Sequence, residues 1–366
     1  MNKFIKILLA SLACFVLICG ACSPMTPDPI FPSEQTNGDK KPDPTPIPGP
    51  DNDDHRDDDE DDGHHDDQGD QDDRDEDEDD DQDPVDPVVP DPPTVGDHNG
   101  YGWFELPEMT DEDHNGIDDK NSDLYYSHTF RADASKIRNF SACYSKSKIH
   151  PVWVAAPMHK SYTGSVSRTN AYQNDPNIKC TQSAKFNGYT RGHMLGSSER
   201  NVSGATNRQA FYYSNIGAQL QTGFNTGGGA WNKLEGLVES FWGTDTLYQV
   251  IGCIFTNFTD KYGSTVNAKT TKNSANSTVQ VPTAYYKAML KVKRGVNKTP
   301  DKCSANELQC VAFILSHKSN AGHVPCVKDM YTIQELEKMT GMKYFVNVPN
   351  APKTTFTASD WSSTLK

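Results

Sequence analysis

Tyr-Thr-Arg-Gly-His (189–193), Phe-Tyr-Tyr-Ser-Asn-Ile-Gly-Ala-Gln (211–219), Phe-Asn (224–225) and Ala-Trp-Asn-Lys-Leu-Glu (230–235) follow one another in one stretch of the chain. The last piece opens a helix. Over Ala230–Trp242, the residues Trp231, Leu234, Leu237, Val238 and Phe241 return to one face, which is the period of an amphipathic helix lying on a core. Trp231 and Leu234 are accordingly expected inside. Outward from this stretch, Val152–Ala156, Leu247–Phe255, Tyr285–Val292 and Cys310–Leu315 are rich in β-branched or aromatic residues and read as strands. A second helix is expected over Ile333–Met339, where Thr332 and Glu335 form a capping box and Gly341 supplies the stop. No internal repeat interrupts the pattern. The expected class is α+β, with a central, largely antiparallel sheet flanked by helices.

The same stretch holds an inventory for phosphodiester chemistry. Hydrolysis of a phosphodiester needs a base for water, positive charge on the phosphoryl oxygens, and help for the leaving oxygen. His193 is a base suited to neutral pH. Arg191 carries fixed charge in a fork that matches phosphate. Asn225 and Glu235 offer oxygen to magnesium, which keeps several waters and needs few protein ligands. Each residue alone has an ordinary explanation: a surface or core histidine, a turn-forming Asn, a solvated helix Glu. Their order and spacing together carry the weight.

That order resembles the DNA/RNA non-specific endonucleases of the ββα-metal (His-Me finger) superfamily. Their signature is Asp-Arg-Gly-His, then an aromatic-rich Ser/Thr-Asn-x-x-x-Gln segment, an Asn before a helix, and Trp-x-x-Leu-Glu within it. Here Arg191, Gly192, His193, Asn215, Gln219, Asn225, Trp231, Leu234 and Glu235 match. Similarity extends over roughly residues 101–350, through Gly-Trp-Phe-Glu-Leu-Pro (102–107), Pro-Val-Trp-Val-Ala (151–155), Ser-Arg-Thr-Asn-Ala-Tyr (167–172), Val-Pro-Thr-Ala-Tyr-Tyr-Lys-Ala (281–288) and Leu-Glu-Lys-Met-Thr-Gly (336–341).

The resemblance implies a ββα-metal finger active site and an Mg²⁺-dependent, sugar-non-specific endonuclease that leaves 5′ phosphates, with Mn²⁺ as a substitute ion. It implies roles as well. His193 would be the general base and Asn225 the one direct metal ligand. Arg168 would stabilise the transition state, and Arg191 would place phosphate. Glu235 would hold metal-bound waters, and Asn215 would orient the finger from behind. DNA and RNA are the implied partners, held through their backbones without base readout. No protein partner is implied. The chain departs from the pattern at Thr190, which replaces the leading Asp, and at Glu239, where an Arg is usual. It departs again in the long turn Thr-Gly-Gly-Gly (226–229). The alternative these departures leave open is a catalytically weak surface lipoprotein of nuclease fold that binds nucleic acid or a protein partner. No HExxH or paired-His zinc spacing occurs, which speaks against a different metal hydrolase.

Charge divides the chain. Residues 1–98 hold 29 Asp and Glu against 6 Lys and Arg, so the acidic total of the protein hides a basic remainder: residues 99–366 carry 21 acids and 29 bases. A basic domain with interleaved aromatics suits a polyanion. Lys3 and Lys6 precede an apolar run from Ile7 to Ile18 and then Gly-Ala-Cys-Ser (20–23). This reads as an export signal over 1–22. Cys22 is the candidate lipidation site, with Cys14 and Cys19 as alternatives and an ordinary cleaved signal as the plain reading. The protein is thus expected outside the cytoplasm, anchored at a bacterial envelope through Cys22 or secreted. Residues 23–98, Pro-rich at both ends and Asp-dominated between, are expected to form an extended, disordered stalk, and 99–366 the nuclease domain. Asp111–Asp119 resembles a calcium loop, with Gly116 at the turn but Ser122 where a bidentate Glu belongs. The cysteines of the domain, Cys143, Cys180, Cys253, Cys303, Cys310 and Cys326, are compatible with disulfides of undetermined pairing, and Cys253 also reads as a buried thiol.

Overall fold

Along the strand β11 (Ala284–Val292), Tyr286, Ala288 and Leu290 turn into one apolar cluster while Tyr285 and Met289 turn into another. A strand with apolar residues on both faces must lie in the middle of a layered structure, and the rest of the chain supplies the layers. The computed structural model describes residues 102–362 and 365, apart from 114, 130–137, 227 and 244. The expected signal at 1–22, its Cys22 and the acidic segment 23–98 lie outside the described residues.

In chain order the strands are β1 (Leu124–Thr129), β2 (Arg138–Ser145), β3 (His150–Met158), β4 (Thr190–His193), β5 (Ile216–Gln219), β6 (Leu247–Ile254), β7 (Phe258–Thr259), β8 (Thr265–Val266), β9 (Lys269–Lys272), β10 (Thr278–Val281), β11, β12 (Leu308–Ser316) and β13 (Met330–Tyr331). The helices are α1 (Gly204–Gln209), α2 (Ala230–Glu239) and α3 (Ile333–Thr340). Seven strands form an antiparallel sheet in the order β1-β2-β3-β6-β11-β12-β13. The pairs β4–β5, β7–β8 and β9–β10 are separate ribbons. The α+β class with its antiparallel sheet is as expected, and all four predicted strands are present.

One face of the sheet is covered by α3 through Ile333 and Leu336, by Phe104 and Leu106 near the start, and by Tyr344, Phe345 and Val348. The other carries Met194, Leu195 and Phe224 from the finger region, then Trp231, Leu234 and Val238 of α2, and Trp361. Helix α3 starts on the predicted capping box, Thr332 Oγ1 accepting from the Glu335 N–H, and stops at Gly341 with φ +74°. Helix α2 is three residues shorter than its periodicity predicts. Ser240 and Phe241 return their N–H groups to Leu237 and Val238, a tightened last turn that still buries Phe241.

Its first turn has no side-chain cap. The orphan N–H groups of a helix start need acceptors. Here Ala230 donates to the Gly223 carbonyl (3.2 Å) and Trp231 to that of Phe224 (3.0 Å). This fold-back explains the long glycine turn: a Cβ on Gly229 would sit 2.3 Å from the Phe224 oxygen.

The expectation of disulfides is revised. The six cysteines are free thiols, four of them buried, with Cys253 Sγ lying 3.9 Å from Met194 Sδ in the core. The acidic residues of 111–119 spend their oxygens on nearby backbone: Asp111 accepts from Asn115 and Gly116, Asp118 from Lys120 and Asn121, and Asp119 from Glu112. These hydrogen bonds account for the loop as a run of capped turns. Among the described residues no helix is long and apolar enough to cross a membrane.

Leu234 is fully buried between α2 and the sheet. Leu234→Ala should lower the unfolding free energy in urea by about 2–5 kcal/mol, the usual cost of a core truncation; a loss below about 1 kcal/mol would mean that α2 does not rest on this core.

Candidate active site

The ribbon β4–β5 pairs Thr190 with Gln219, Arg191 with Ala218, Gly192 with Gly217 and His193 with Ile216. Side chains alternate across a strand, so Arg191 and His193 share one face and Gly192 turns to the other. With four residues in each strand, the ribbon is held by its surroundings. The buried Asn215 binds the end of β4 to the start of β5. Its Oδ1 accepts from the Leu195 N–H (2.9 Å), and its Nδ2 donates to the carbonyls of Leu195 (2.9 Å) and Ala210 (2.7 Å).

His193 is 9 % exposed and packed edge-on against Phe211 (4.8 Å) and Tyr172 (5.8 Å). Burial, with Arg168 and Arg191 close by, pushes its imidazole down to about 3. The ring is therefore neutral at physiological pH. Its buried Nε2 has no hydrogen-bond partner in the protein.

Both arginines are held by aromatic rings. The Arg191 guanidinium lies 3.9 Å from the Tyr172 centroid and that of Arg168 lies 4.7 Å from Phe211, both cation–π distances. Arg168 is fixed further: Nε donates to Asn170 Oδ1 (2.8 Å), Nη1 to Ser197 Oγ (2.8 Å) and Nη2 to the Tyr172 hydroxyl (2.9 Å). These bonds use three of the five N–H groups a guanidinium carries and leave two for an anion.

Asn225 stands on the turn before α2. Its amide Nδ2 donates to Gln219 Oε1, and its backbone N–H to the Leu220 carbonyl (3.0 Å). The side-chain oxygen of Asn225 is thereby turned away from Gln219. Glu235, on α2, is only partly exposed, and burial pushes its carboxyl up to about 7, opposed by Lys287 and reinforced by Glu199. Lys287 Nζ is buried without a hydrogen-bond partner, and Glu199 Oε2 accepts from the Gly196 N–H (2.6 Å).

The structure gathers His193, Arg168 and Arg191 into one group and ties Asn215 and Asn225 to the ribbon beside it. Glu235 is connected more remotely. The turn Ser197–Arg200 holds Arg168 through Ser197 and influences Glu235 through Glu199. Sequence reading missed Ser197, Glu199, Tyr172, Phe211 and Lys287 as parts of the site. Their signal was weak: a lone Lys in an apolar strand is the only one of them that stands out by residue type.

Gly192 has a steric reason to be glycine. A Cβ there would meet Gln219 Cδ at 2.1 Å and Oε1 at 2.2 Å. Gly192→Ala should fold, at a cost of about 1–3 kcal/mol for overpacking, while displacing Gln219 and breaking its bond to Asn225. The side-chain amide resonances of Asn225 and Gln219 would shift together; unchanged resonances would mean that the two side chains are not coupled.

The family model for DNA/RNA non-specific endonucleases matches residues 121–351. The mitochondrial nuclease EXOG of Homo sapiens is 28 % identical over 219 residues, covering 57 % of this chain and 55 % of that protein. Nuclease C1 of Cunninghamella echinulata var. echinulata is 30 % identical over 160 residues, 43 % of this chain and 57 % of that one. The chain thus spans about half the length of the curated relatives it matches. An EndoG chain, from a crystal structure of its complex with EndoGI, overlays with a TM-score of 0.48 at 20 % identity, over 62 % of this chain and 89 % of that chain. With a family model matching more than half of its length, the chain belongs to the DNA/RNA non-specific endonuclease family.

Proposed function

We propose that the protein is an Mg²⁺-dependent endonuclease that hydrolyses DNA and RNA with little sequence preference and leaves 5′ phosphates. The observation that carries this reading is a neutral, buried imidazole, His193, packed against the two rings, Phe211 and Tyr172, that also hold the Arg168 and Arg191 guanidiniums. A base that stays unprotonated beside fixed positive charge is what attack on a phosphodiester requires.

Charge supports a polyanionic substrate. Residues 176–198 contain no Asp or Glu, and neither do residues 261–300, which include eight Lys and Arg. The two stretches meet beside β4. Asn187 donates to the Lys272 carbonyl (2.8 Å), and Lys269 Nζ lies 5.5 Å from the Tyr189 ring. Cations that face a backbone rather than base edges give affinity without sequence readout.

The donor set fits a hydrated magnesium ion. No three His, Cys, Asp or Glu side chains gather as a metal group among the described residues. Magnesium keeps several waters and is held through few protein oxygens, and the Asn225 oxygen is left available by the Gln219 bond. When bound, the ion would supply positive charge to a phosphate oxygen and to the departing 3′ oxygen. His193 takes the proton of the attacking water as the new P–O bond forms. Arg168, with two N–H groups to spare, would meet the negative charge on the phosphoryl oxygens, and Arg191 would hold the phosphate. Asn215 keeps the ribbon in place, and an ionised Glu235 would order water around a bound ion. Export and lipidation at Cys22, with residues 23–98 as a spacer, complete the proposal and rest on the sequence alone.

His193→Ala should retain its fold and lose at least about 10²–10⁴-fold in rate, and Asn225→Ala should raise the Mg²⁺ concentration for half-activity far more than it weakens DNA binding. Cleavage that resists EDTA, or a His193→Ala protein at near wild-type rate, contradicts the assignment. The pH dependence separates two groups. His193 stays neutral down to about 3, whereas Glu235 is protonated as pH falls through about 7. At limiting Mg²⁺ the acid limb of kcat/KM should therefore lie near Glu235's value and vanish in Glu235→Gln. A limb that persists in that variant assigns it to another group.

A further inference from the structure

Strand β5 is paired with β4 on one side only, and alternate residues of an antiparallel pair turn their N–H and C=O groups away from the partner. Ala218 is such a residue. Its N–H donates to His150 Nε2 (2.9 Å), and its carbonyl accepts from the Tyr285 hydroxyl (2.7 Å). Leu220, just past the strand, donates its N–H to His317 Nε2 (2.8 Å). A backbone N–H can only donate, so both Nε2 atoms must be acceptors and each ring proton must sit on Nδ1. The structure gives each Nδ1 a carbonyl to receive that proton: Pro151 for His150 (2.7 Å) and Pro282 for His317 (2.8 Å). The same device occurs twice, from opposite parts of the sheet. His150 opens β3, and His317 follows β12.

Gly217 is an independent sign of the fit. A Cβ there would lie 2.9 Å from His150 Cε1 and 2.9 Å from the Tyr285 hydroxyl, so glycine admits the two side chains that hold its neighbour. Between the two held residues stands Gln219, whose side chain meets Asn225, and the Leu220 carbonyl also accepts the Asn225 N–H. Burial pushes His150 down to about 4 against the pull of the Pro151 carbonyl, and His317 to about 3 against that of Pro282. Lys148 pushes His150 the same way, and Lys269 and His150 do so for His317.

We propose that His150 and His317 are positioning residues of the active site: neutral imidazoles that bond the N–H groups of Ala218 in β5 and of Leu220 just past it, and so fix Gln219 and Asn225 against the central sheet. The catalytic consequence rests on the nuclease reading; the placement does not.

The test uses the full chain with His150→Ala and His317→Ala. His150→Gln and His317→Gln serve as rescue variants, since a Gln amide oxygen can replace the Nε2 acceptor. Amide hydrogen exchange is read at Ala218 and Leu220 and, for reference, across β6 and β11. In the Ala variants the matching amide should exchange at least about tenfold faster while β6 and β11 hold, a local rather than global opening. Cleavage of plasmid DNA should show kcat down by about tenfold or more, KM for DNA within about twofold, and a higher Mg²⁺ concentration for half-activity. The Gln variants should recover most of each effect. Unchanged exchange at Ala218 and Leu220 overturns the proposal, as does faster exchange throughout the sheet without rescue by Gln. A wild-type protein that cuts neither DNA nor RNA would refute the proposed function, and the exchange data would still decide the placement.

Discussion

A two-stranded ribbon with four residues in each strand buries too little to persist alone, and His193 and Arg191 project from such a ribbon, with Asn225 bonded to its end. Everything that makes the site depends on bonding this ribbon from outside. Asn215 ties its two strands at one end. Gln219 meets the turn before α2, and Trp231 packs beneath with Phe224 and Tyr285. His150 and Tyr285 of the central sheet take the outward N–H and carbonyl of Ala218, and His317, just past β12, takes the N–H of Leu220. The large antiparallel sheet therefore acts as a rigid bed for a small, otherwise weak element, as functional side chains require if their geometry is to be kept.

Burial acts in opposite senses on the two titratable groups of the site. It strips the proton from His193 and adds one to Glu235, because a low dielectric disfavours the charged form of each. The neighbouring charges then differ. Arg168 and Arg191 push His193 further toward neutrality, while Lys287 restrains Glu235 from going too high. A buried lysine with no hydrogen-bond partner is costly; Lys287 offsets part of that cost over the Trp231 ring, 5.3 Å from its centroid, and through its attraction to Glu235.

Much of this was legible in the sequence, and the limits have physical causes. The strands of the sheet centre, such as Leu247–Ile254 and Ala284–Val292, announce themselves because both faces are buried and their residues are almost uniformly β-branched, aromatic or apolar. Strand β2, Arg-Asn-Phe-Ser-Ala-Cys-Tyr-Ser, is just as buried but spends its polar residues on partners such as Thr206 and Gln209 for Asn139 and Ser127 for Ser141, which composition cannot foresee. The ribbon strands are too short and too glycine-rich to show a period. His193, Arg191, Asn225 and Glu235 were found through their order along the chain. His150 and His317 lie far from that motif, and only the folded chain brings them to β5. The possible disulfides failed for a related reason: an even count of cysteines fixes no distances, and the core treats Cys143, Cys253, Cys303 and Cys310 as small apolar residues.

The proposed nuclease chemistry needs a divalent ion at the Asn225 oxygen, on the turn bonded to the ribbon that carries His193. Mn²⁺ added to the isotope-labelled protein tests it most directly, because paramagnetic broadening of NMR signals falls off steeply with distance from the ion. With the ion at Asn225, its side-chain amide broadens first, together with the His193 ring and the backbone amides of Gln219 and Leu220. Broadening centred elsewhere, at Asp260 and Asp329 or in the acidic turn at 111–119, with Asn225 left sharp, would contradict it.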